Sequence, residues 1–344
     1  MSEQQYPDNA LLIVDGLKKY FPIQRGLLQR TVGHVKAVDN VSFHINKGET
    51  FGLVGESGSG KSTTARMILR AFDVTEGNIM FRQDNGKWLN IATANKDEMQ
   101  KLRREIQMIF QDPYSSLNPR MTLLQIIGEP LLVNKVSSGT ELEDRVAGLL
   151  RLVGLRPEYI NRYPHAFSGG QRQRVGIARA LALNPSFIAA DEAVSALDVS
   201  VAAQNINLMQ DLQDQFNLTY LFITHDLSMV EHISDRLGVM YVGELVEIGD
   251  TDKIFEKPLH PYTEALLSSV PKPDPRRDRE KKRILLQGEI ADPSNPPTGC
   301  YFHPRCPYAQ AKCKTEKPLL REIQPGRQVS CHFAEELDLV GVMD

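Results

Sequence analysis

An apolar run, Thr50-Phe-Gly-Leu-Val54, feeds directly into Gly55-Glu-Ser-Gly-Ser-Gly-Lys61-Ser62, and Lys61 to Leu69 then has helix-forming character. The run reads as a buried strand ending in a turn. The turn fits G-x-x-x-x-G-K-[ST]. Glycines at these places let backbone N–H groups curl around phosphate oxygens with no Cβ in the way. The helix that follows adds the partial positive charge of its N-terminus. In such a turn Lys61 reaches the β- and γ-phosphates and the Ser62 hydroxyl ligates Mg2+. A strand, a phosphate-binding turn and a helix in that order admit few folds, all with a parallel sheet.

The remaining chain agrees with such a sheet. Leu11 to Val14 and Val35 to Ile45 read as short strands with apolar alternation. From Pro113 to Pro164 the texture changes. Leu123 to Leu132 and Glu141 to Val153 carry helical spacing, which predicts a helical insert over about 113–165. Beyond it, Gly170 to Leu183 (helix), Ser186 to Ala190 (strand), Val201 to Phe216 (helix) and Thr219 to Thr224 (strand) alternate, as in a parallel sheet with helices on its faces. Leu237 to Ile248 reads as two short strands. Prolines crowd the chain beyond residue 255, so 256–344 is expected to form a separate small extension to a domain over 1–255.

Composition removes several function classes. The net charge of -3 provides no global positive field, so no nucleic acid is expected as a partner. The basic run Arg276 to Arg283 reads as a solvated linker. No stretch of about 18 apolar residues occurs, and Met1 to Asn9 lacks the features of a secretory signal. The expected place is the cytosol, with any membrane attachment through partners. The four cysteines, Cys300, Cys306, Cys313 and Cys331, all fall in the tail. In a reducing compartment they read as metal ligands rather than disulfides. Their spacing, C-x5-C-x6-C-x17-C, lacks the close pairs of most zinc sites. Four thiolates suit a [4Fe–4S] cluster as well, and spacing alone leaves cluster, zinc and unligated thiols open.

Two further motifs carry chemistry. Phe187-Ile-Ala-Ala-Asp191-Glu192 is an apolar run ending in two carboxylates, the form of a buried parallel strand whose C-terminal edge meets a ligand. Asp191 is placed to hold Mg2+, directly or through water, and Glu192 to polarise an attacking water. Phe167-Ser-Gly-Gly-Gln171 opens a predicted helix. Read simply, it is an N-cap serine with two glycines. Read with a partner, it is a second anion-ready terminus that covers the γ-phosphate bound by another subunit.

These motifs, with Gln111, Ser195-Ala-Leu-Asp198 and His225, stand in the order and rough spacing of the nucleotide-binding subunit of an ABC transporter, which residues 10–250 resemble. The resemblance implies an α/β P-loop NTPase core with a helical subdomain and a small antiparallel β part. It implies ATP and Mg2+ bound by Gly55, Glu56, Ser57, Gly58, Ser59, Gly60, Lys61, Ser62, Thr63, Gln111 and Asp191. Phe21 would stack on adenine, ahead of its neighbour Tyr20. Glu192 would be the general base, and His225 would contact the γ-phosphate and orient the water. Asp198 would lie at a dimer interface, and Ser168, Gly169, Gly170 and Gln171 would act in trans. Phe167 stands where many relatives have leucine, and Ala193 where proline is common. Neither change removes a reacting group.

The tail narrows the family. His260-Pro-Tyr-Thr263, Asp112-Pro-Tyr-Ser-Ser-Leu-Asn-Pro119 and Gly299-Cys300-Tyr-Phe-His-Pro-Arg-Cys306 resemble the oligopeptide and dipeptide permease ATPases, closest to their F-type subunit. That resemblance favours the [4Fe–4S] cluster over Zn2+ and gives it a structural role. It implies a second, paralogous ATPase subunit, two transmembrane permease subunits and an extracytoplasmic solute-binding protein. The chain would sit on the cytoplasmic face of the inner membrane. Nickel or oligosaccharide import by the same machine is the near alternative. A soluble ABC ATPase of DNA or ribosomes would need coiled coils, zinc insertions or tandem domains, and a P-loop kinase would not need Ser168 to Gln171. An exporter usually fuses its ATPase to membrane helices, and none is evident in this sequence.

Overall fold

The computed structural model describes residues 7–26, 29–270 and 284–342; the basic run at 276–283 lies outside them. In chain order the elements are β1 (Ala10–Arg25), β2 (Arg30–Asn46), β3 (Thr50–Val54), α1 (Lys61–Ile68), β4 (Glu76–Arg82), β5 (Trp88–Asn90), α2 (Lys96–Glu105) and β6 (Ile106–Ile109). Next come α3 (Leu123–Val133), α4 (Gly139–Leu152), α5 (Gly169–Leu181), β7 (Phe187–Asp191), α6 (Val199–Phe216), β8 (Thr219–Ile223), α7 (Leu227–Ile233) and β9 (Arg236–Tyr241). Then follow β10 (Glu244–Asp250), α8 (Thr251–Glu256), α9 (Pro261–Ser268), α10 (Ala311–Thr315), β11 (Arg321–Gln324) and β12 (Arg327–Val329). The chain divides into two compact units.

The first unit comprises Met1–Leu11, Ile45–Glu49 and Phe81–Ile223. Its sheet is parallel, with β7 between β6 and β8; Ile106 pairs with Phe187, and Ala190 with Phe222. Every residue of β7 and β8 is buried. That accounts for their continuous apolar runs, because a parallel strand is covered on both faces. The expected helical insert is α3 and α4. Thr122 caps α3 in a capping box with Gln125, and Ser168 caps α5 in another with Gln171. Each box satisfies two backbone donors that a helix start would leave open. Asn217, in the left-handed region, ends α6 and turns the chain into β8.

The second unit comprises Leu12–His44, Thr50–Met80 and Thr224–Asp344. Here β3 runs parallel to β9, with Leu53 opposite Gly238. β10 pairs antiparallel with β9, β12 with β10, and β11 with β12. The tail is joined to the sheet by its strands and by a buried ion pair. Glu247 on β10 accepts from Arg327 Nη2 at 3.0 Å and from the backbone of Leu259 and His260. Leu259, Val329 and Ala334 form a small core beside it.

β1 and β2 are longer than the expected strands at 11–14 and 35–45. The physical reason lies in their burial. Only the first part of β1 and the last part of β2 are buried, and the remaining length is half-exposed or exposed. Apolar alternation marks the buried stretch alone. Among the described residues no helix is long and apolar enough to cross a membrane.

Candidate nucleotide site

The phosphate-binding turn follows β3 as the sequence requires. Gly55, Gly58 and Gly60 have φ of 150°, 81° and 106°. A Cβ on Gly55 would lie 2.2 Å from the Met240 carbonyl oxygen, and one on Gly60 would lie 2.3 Å from that of Ala37. Both places therefore exclude any side chain. Lys61 is buried, and its Nζ donates to the carbonyls of Gly55 (2.7 Å) and Glu56 (2.9 Å). Gly60 is the N-cap of α1 and offers no side-chain cap, and the partial positive charge of a helix start suits an anion. Ser57 and Gly58 are exposed, while Ser62 and Thr63 are half-buried.

Phe21 and Tyr20 are held differently. Phe21 packs edge-on against Phe72, with ring centres 5.6 Å apart, and Lys19 Nζ lies 5.0 Å from its ring centre. The Tyr20 hydroxyl donates to Asp39 at 2.5 Å. Of the two rings, Tyr20 is thus committed to a carboxylate. His225 is exposed, between buried Thr224 and Asp226, the residue that caps α7.

In the first unit, Asp191 is 2% exposed at the end of β7. Glu192 leaves the strand at φ 47°, in the left-handed region, and its N–H donates to the Ile223 carbonyl at 2.8 Å. Gln111 Nε2 donates to Glu192 Oε2 at 2.6 Å, so the loop after β6 reaches the carboxylate. The Ser195 hydroxyl donates to the Glu192 carbonyl at 3.0 Å. Asp198 caps α6; hydrogen bonds from the Ser200 hydroxyl and the Val201 N–H hold its carboxyl below the usual range.

The Ser168 to Gln171 segment is a capped helix start packed on the segment after Asp191. Phe167 is buried, Ser168 exposed and Gly170 buried. A Cβ on Gly170 would meet Val201 Cγ1 at 2.2 Å, and one on Gly169 would meet Leu197 at 3.4 Å. The Arg172 guanidinium stacks over Tyr114, 4.2 Å from its ring centre, and ties this helix to the loop after Gln111.

The four cysteines line one cavity together with His260, Phe302, Tyr308 and Phe333. Neighbouring backbone N–H groups favour the thiolates of Cys300 (Phe302 and His303), Cys306 (Tyr308) and Cys331 (Phe333), but burial outweighs them. Burial pushes the Cys300 thiol up to about 11 and Cys306 up to about 12. Cysteine sulfurs are the donor type that an iron–sulfur cluster takes, one to each iron. Among the described residues no group of three or more His, Cys, Asp or Glu could hold a metal ion. Tyr262 and Arg305, quoted above within the tail motifs but given no role there, also reach the phosphate turn at Glu56. They lie far from it in sequence, and nothing local ties them to the turn.

Comparison with known proteins decides what this arrangement belongs to. The ABC transporter family model matches residues 38–195, and the model for the oligopeptide/dipeptide transporter C-terminal region matches residues 246–313. The oligopeptide transport ATP-binding protein AppF of Bacillus subtilis (strain 168) is 54% identical over 94% of this chain and 97% of its own. The chain belongs to the oligopeptide/dipeptide family of ABC-transporter ATP-binding proteins. Dipeptide transport ATP-binding protein DppF of Haemophilus influenzae is another member, 47% identical over 96% of this chain and 99% of its own. Among solved structures, the dimeric ABC cassette MJ0796 bound to ADP and Pi aligns at TM-score 0.61 and 30% identity, over 70% of this chain and 99% of that one. The α/β ABC ATPase fold and the ATPase activity follow from this membership. An ABC ATPase uses ATP with Mg2+.

Proposed function

We propose that this ATPase energises an importer of di- and oligopeptides. The observation that carries the reading is the likeness to AppF and DppF, named for oligopeptide and dipeptide transport, along almost the whole chain, tail included. In this reading the subunit works on the cytoplasmic face of the inner membrane, held there by two permease subunits. A second, paralogous ATPase completes the site, and an extracytoplasmic binding protein delivers the cargo.

The chemistry assigns each group a task. ATP lies with its phosphates in the turn from Gly55 to Thr63, its adenine against Phe21. Lys61 turns from the carbonyls of Gly55 and Glu56 to the β- and γ-phosphates. By the family resemblance Ser62, Gln111 and Asp191 would hold Mg2+, which would supply positive charge against the phosphates. Glu192 takes a proton from water as its oxygen attacks the γ-phosphorus, and the bond to the β–γ bridging oxygen breaks with its electron pair leaving on ADP. His225 contacts the γ-phosphate and orients the water. Ser168 to Gln171, with Asp198, close over the ATP of the partner. ATP binds the closed dimer better than the open one, and this difference drives the transport cycle.

The cysteines hold a structural [4Fe–4S] cluster in this reading. Each thiolate of such a cluster binds its own iron, so the sulfurs do not have to crowd one ion as at zinc. N–H donors to Cys300, Cys306 and Cys331 suit such sulfurs. Protein purified without oxygen should be brown, absorb near about 400 nm and contain iron and sulfide; zinc without iron overturns the assignment. The transport reading is tested by purifying tagged Glu192→Gln protein from native membranes with ATP. Co-purification of two polytopic membrane proteins and a second ATPase supports it, and uptake of labelled peptides, nickel and sugars identifies the cargo. Recovery with ribosomes or nucleic acid instead refutes it.

A further inference from the structure

The phosphate turn is gripped by the tail at one residue. The Glu56 N–H donates to Tyr262 Oη at 2.9 Å. Its carboxylate takes both arms of Arg305, Nη1 to Oε2 at 2.7 Å and Nη2 to Oε1 at 3.0 Å. Its carbonyl accepts from Lys61 Nζ. All three polar groups of Glu56 are therefore engaged, one by Lys61 and two by the tail.

The grip is a built one. The Arg305 side chain is 7% exposed and that of Glu56 27%, so solvent screens the pair less than a surface contact. Two parallel N–H···O bonds fix the carboxylate in direction as well as distance. The Arg305 guanidinium stands 5.9 Å from the ring centre of Tyr241. Phe302 packs on Tyr241 and Tyr262 at 5.3 and 5.4 Å, and its carbonyl accepts from the Arg305 N–H. The loop from Cys300 to Cys306 and the tyrosine of the His260-Pro-Tyr262 motif thus converge on one position of the turn.

We propose that Arg305 and Tyr262 are positioning residues for ATP binding, acting through Glu56. By fixing residue 56 they hold two carbonyls, those of Gly55 and Glu56, that place Lys61. The tail thereby sets how well the turn is preorganised for a triphosphate. The proposal rests on the turn being the ATP site and is independent of what the cysteines bind.

The test uses the full-length protein, a fluorescent ATP analogue for affinity, and ATPase assays for KM and kcat. Arg305→Ala should weaken nucleotide binding on the order of tenfold and raise KM more than it lowers kcat. Arg305→Lys, which keeps the charge but not the fork, should rescue only part of the loss. Glu56→Ala should match Arg305→Ala, and the double variant should be no worse than either, because both act on one contact. Wild-type affinity in Arg305→Ala at an unchanged melting temperature overturns the proposal. So does a loss from Arg305→Ala that persists undiminished in the Glu56→Ala background. If Arg305→Ala does not fold, Glu56→Gln decides, since it keeps side-chain shape while weakening the fork; unchanged affinity there also overturns it. Lys61→Ala separates the two readings: undiminished ATP binding in that variant refutes the turn as the ATP site, whereas its loss alongside a normal Arg305→Ala refutes the grip alone.

Discussion

Gln111 donates its side-chain amide to the Glu192 carboxylate at 2.6 Å, joining the loop after β6 to the end of β7. The contact ties the start of the helical insert to the group assigned to activate water. Any movement of the insert is then felt at Glu192, and any change of charge there is felt by the insert.

Glu192→Gln should lower ATP turnover by about 10²- to 10⁴-fold, the usual worth of a general base, with ATP binding retained. Glutamine keeps the shape of the side chain and can still meet Gln111, so the residue's backbone at φ 47° is not disturbed. Single-turnover hydrolysis of labelled ATP measures the rate, and filter binding the affinity. Turnover within a few-fold of wild type would remove Glu192 from the role of base.

The legible parts of this molecule are those where function is written in neighbouring residues. The phosphate turn needs its glycines and Lys61 within one stretch, and the run into Asp191 and Glu192 shows both burial and ligand edge in one strand. Helix α2 escaped the reading although Asn95 and Glu98 form a capping box, because only Met99 and Leu102 are buried along it and its apolar signal is faint. The outer part of β1 escaped for the same reason. The grip of Arg305 on Glu56 spans 249 residues, and nothing in the tail's composition points at it. The cysteines stood out by type and by their confinement to the tail, but their gathering around one cavity is a property of the fold.

Gly170 has no room for a methyl group, since its Cβ would sit 2.2 Å from Val201 Cγ1. Valine has little χ1 freedom with which to withdraw. Gly170→Ala should therefore destabilise the protein by about 1–3 kcal/mol, as overpacking does. Val201→Ala in the same chain should restore much of that loss. The denaturation midpoints of the two variants decide the point. A Gly170→Ala protein as stable as wild type would show that α5 and α6 part without penalty.

The ion pair of Arg327 with Glu247 is buried, at 5% and 0% side-chain exposure. Removing one partner strands the other. Arg327→Ala should lower stability by about 3–5 kcal/mol at neutral pH. Desolvation holds the Glu247 carboxyl above its ordinary value. Arg327 pulls that value back down, so in Arg327→Ala the stranded carboxylate takes up a proton more readily than in wild type; protonation removes the unpaired charge, and the deficit should shrink on acidification. The double variant Arg327→Met, Glu247→Gln should be more stable than Arg327→Ala at pH 7. Equal midpoints for Arg327→Ala and wild type at that pH would contradict the assignment.

His44 titrates in the opposite sense. Burial, and then the positive charge of Arg236, bring its imidazole down to about 4 from the ordinary 6.5. Arg236 Nη1 lies 3.4 Å from His44 Nε2 and donates to the His44 carbonyl at 3.2 Å, so a proton on the ring would meet a like charge. The unfolded chain takes up that proton first. The contribution of neutral His44 is therefore whole above pH 6.5 and drains away as pH falls through about 4. Allowing for partial solvent screening, the loss between pH 7 and pH 5 amounts to about 1 kcal/mol. His44→Gln cannot take up a proton and should lose less stability than wild type over that interval, read as the difference between melting temperatures at the two pH values. An identical acid response in the two proteins would place the proton uptake elsewhere.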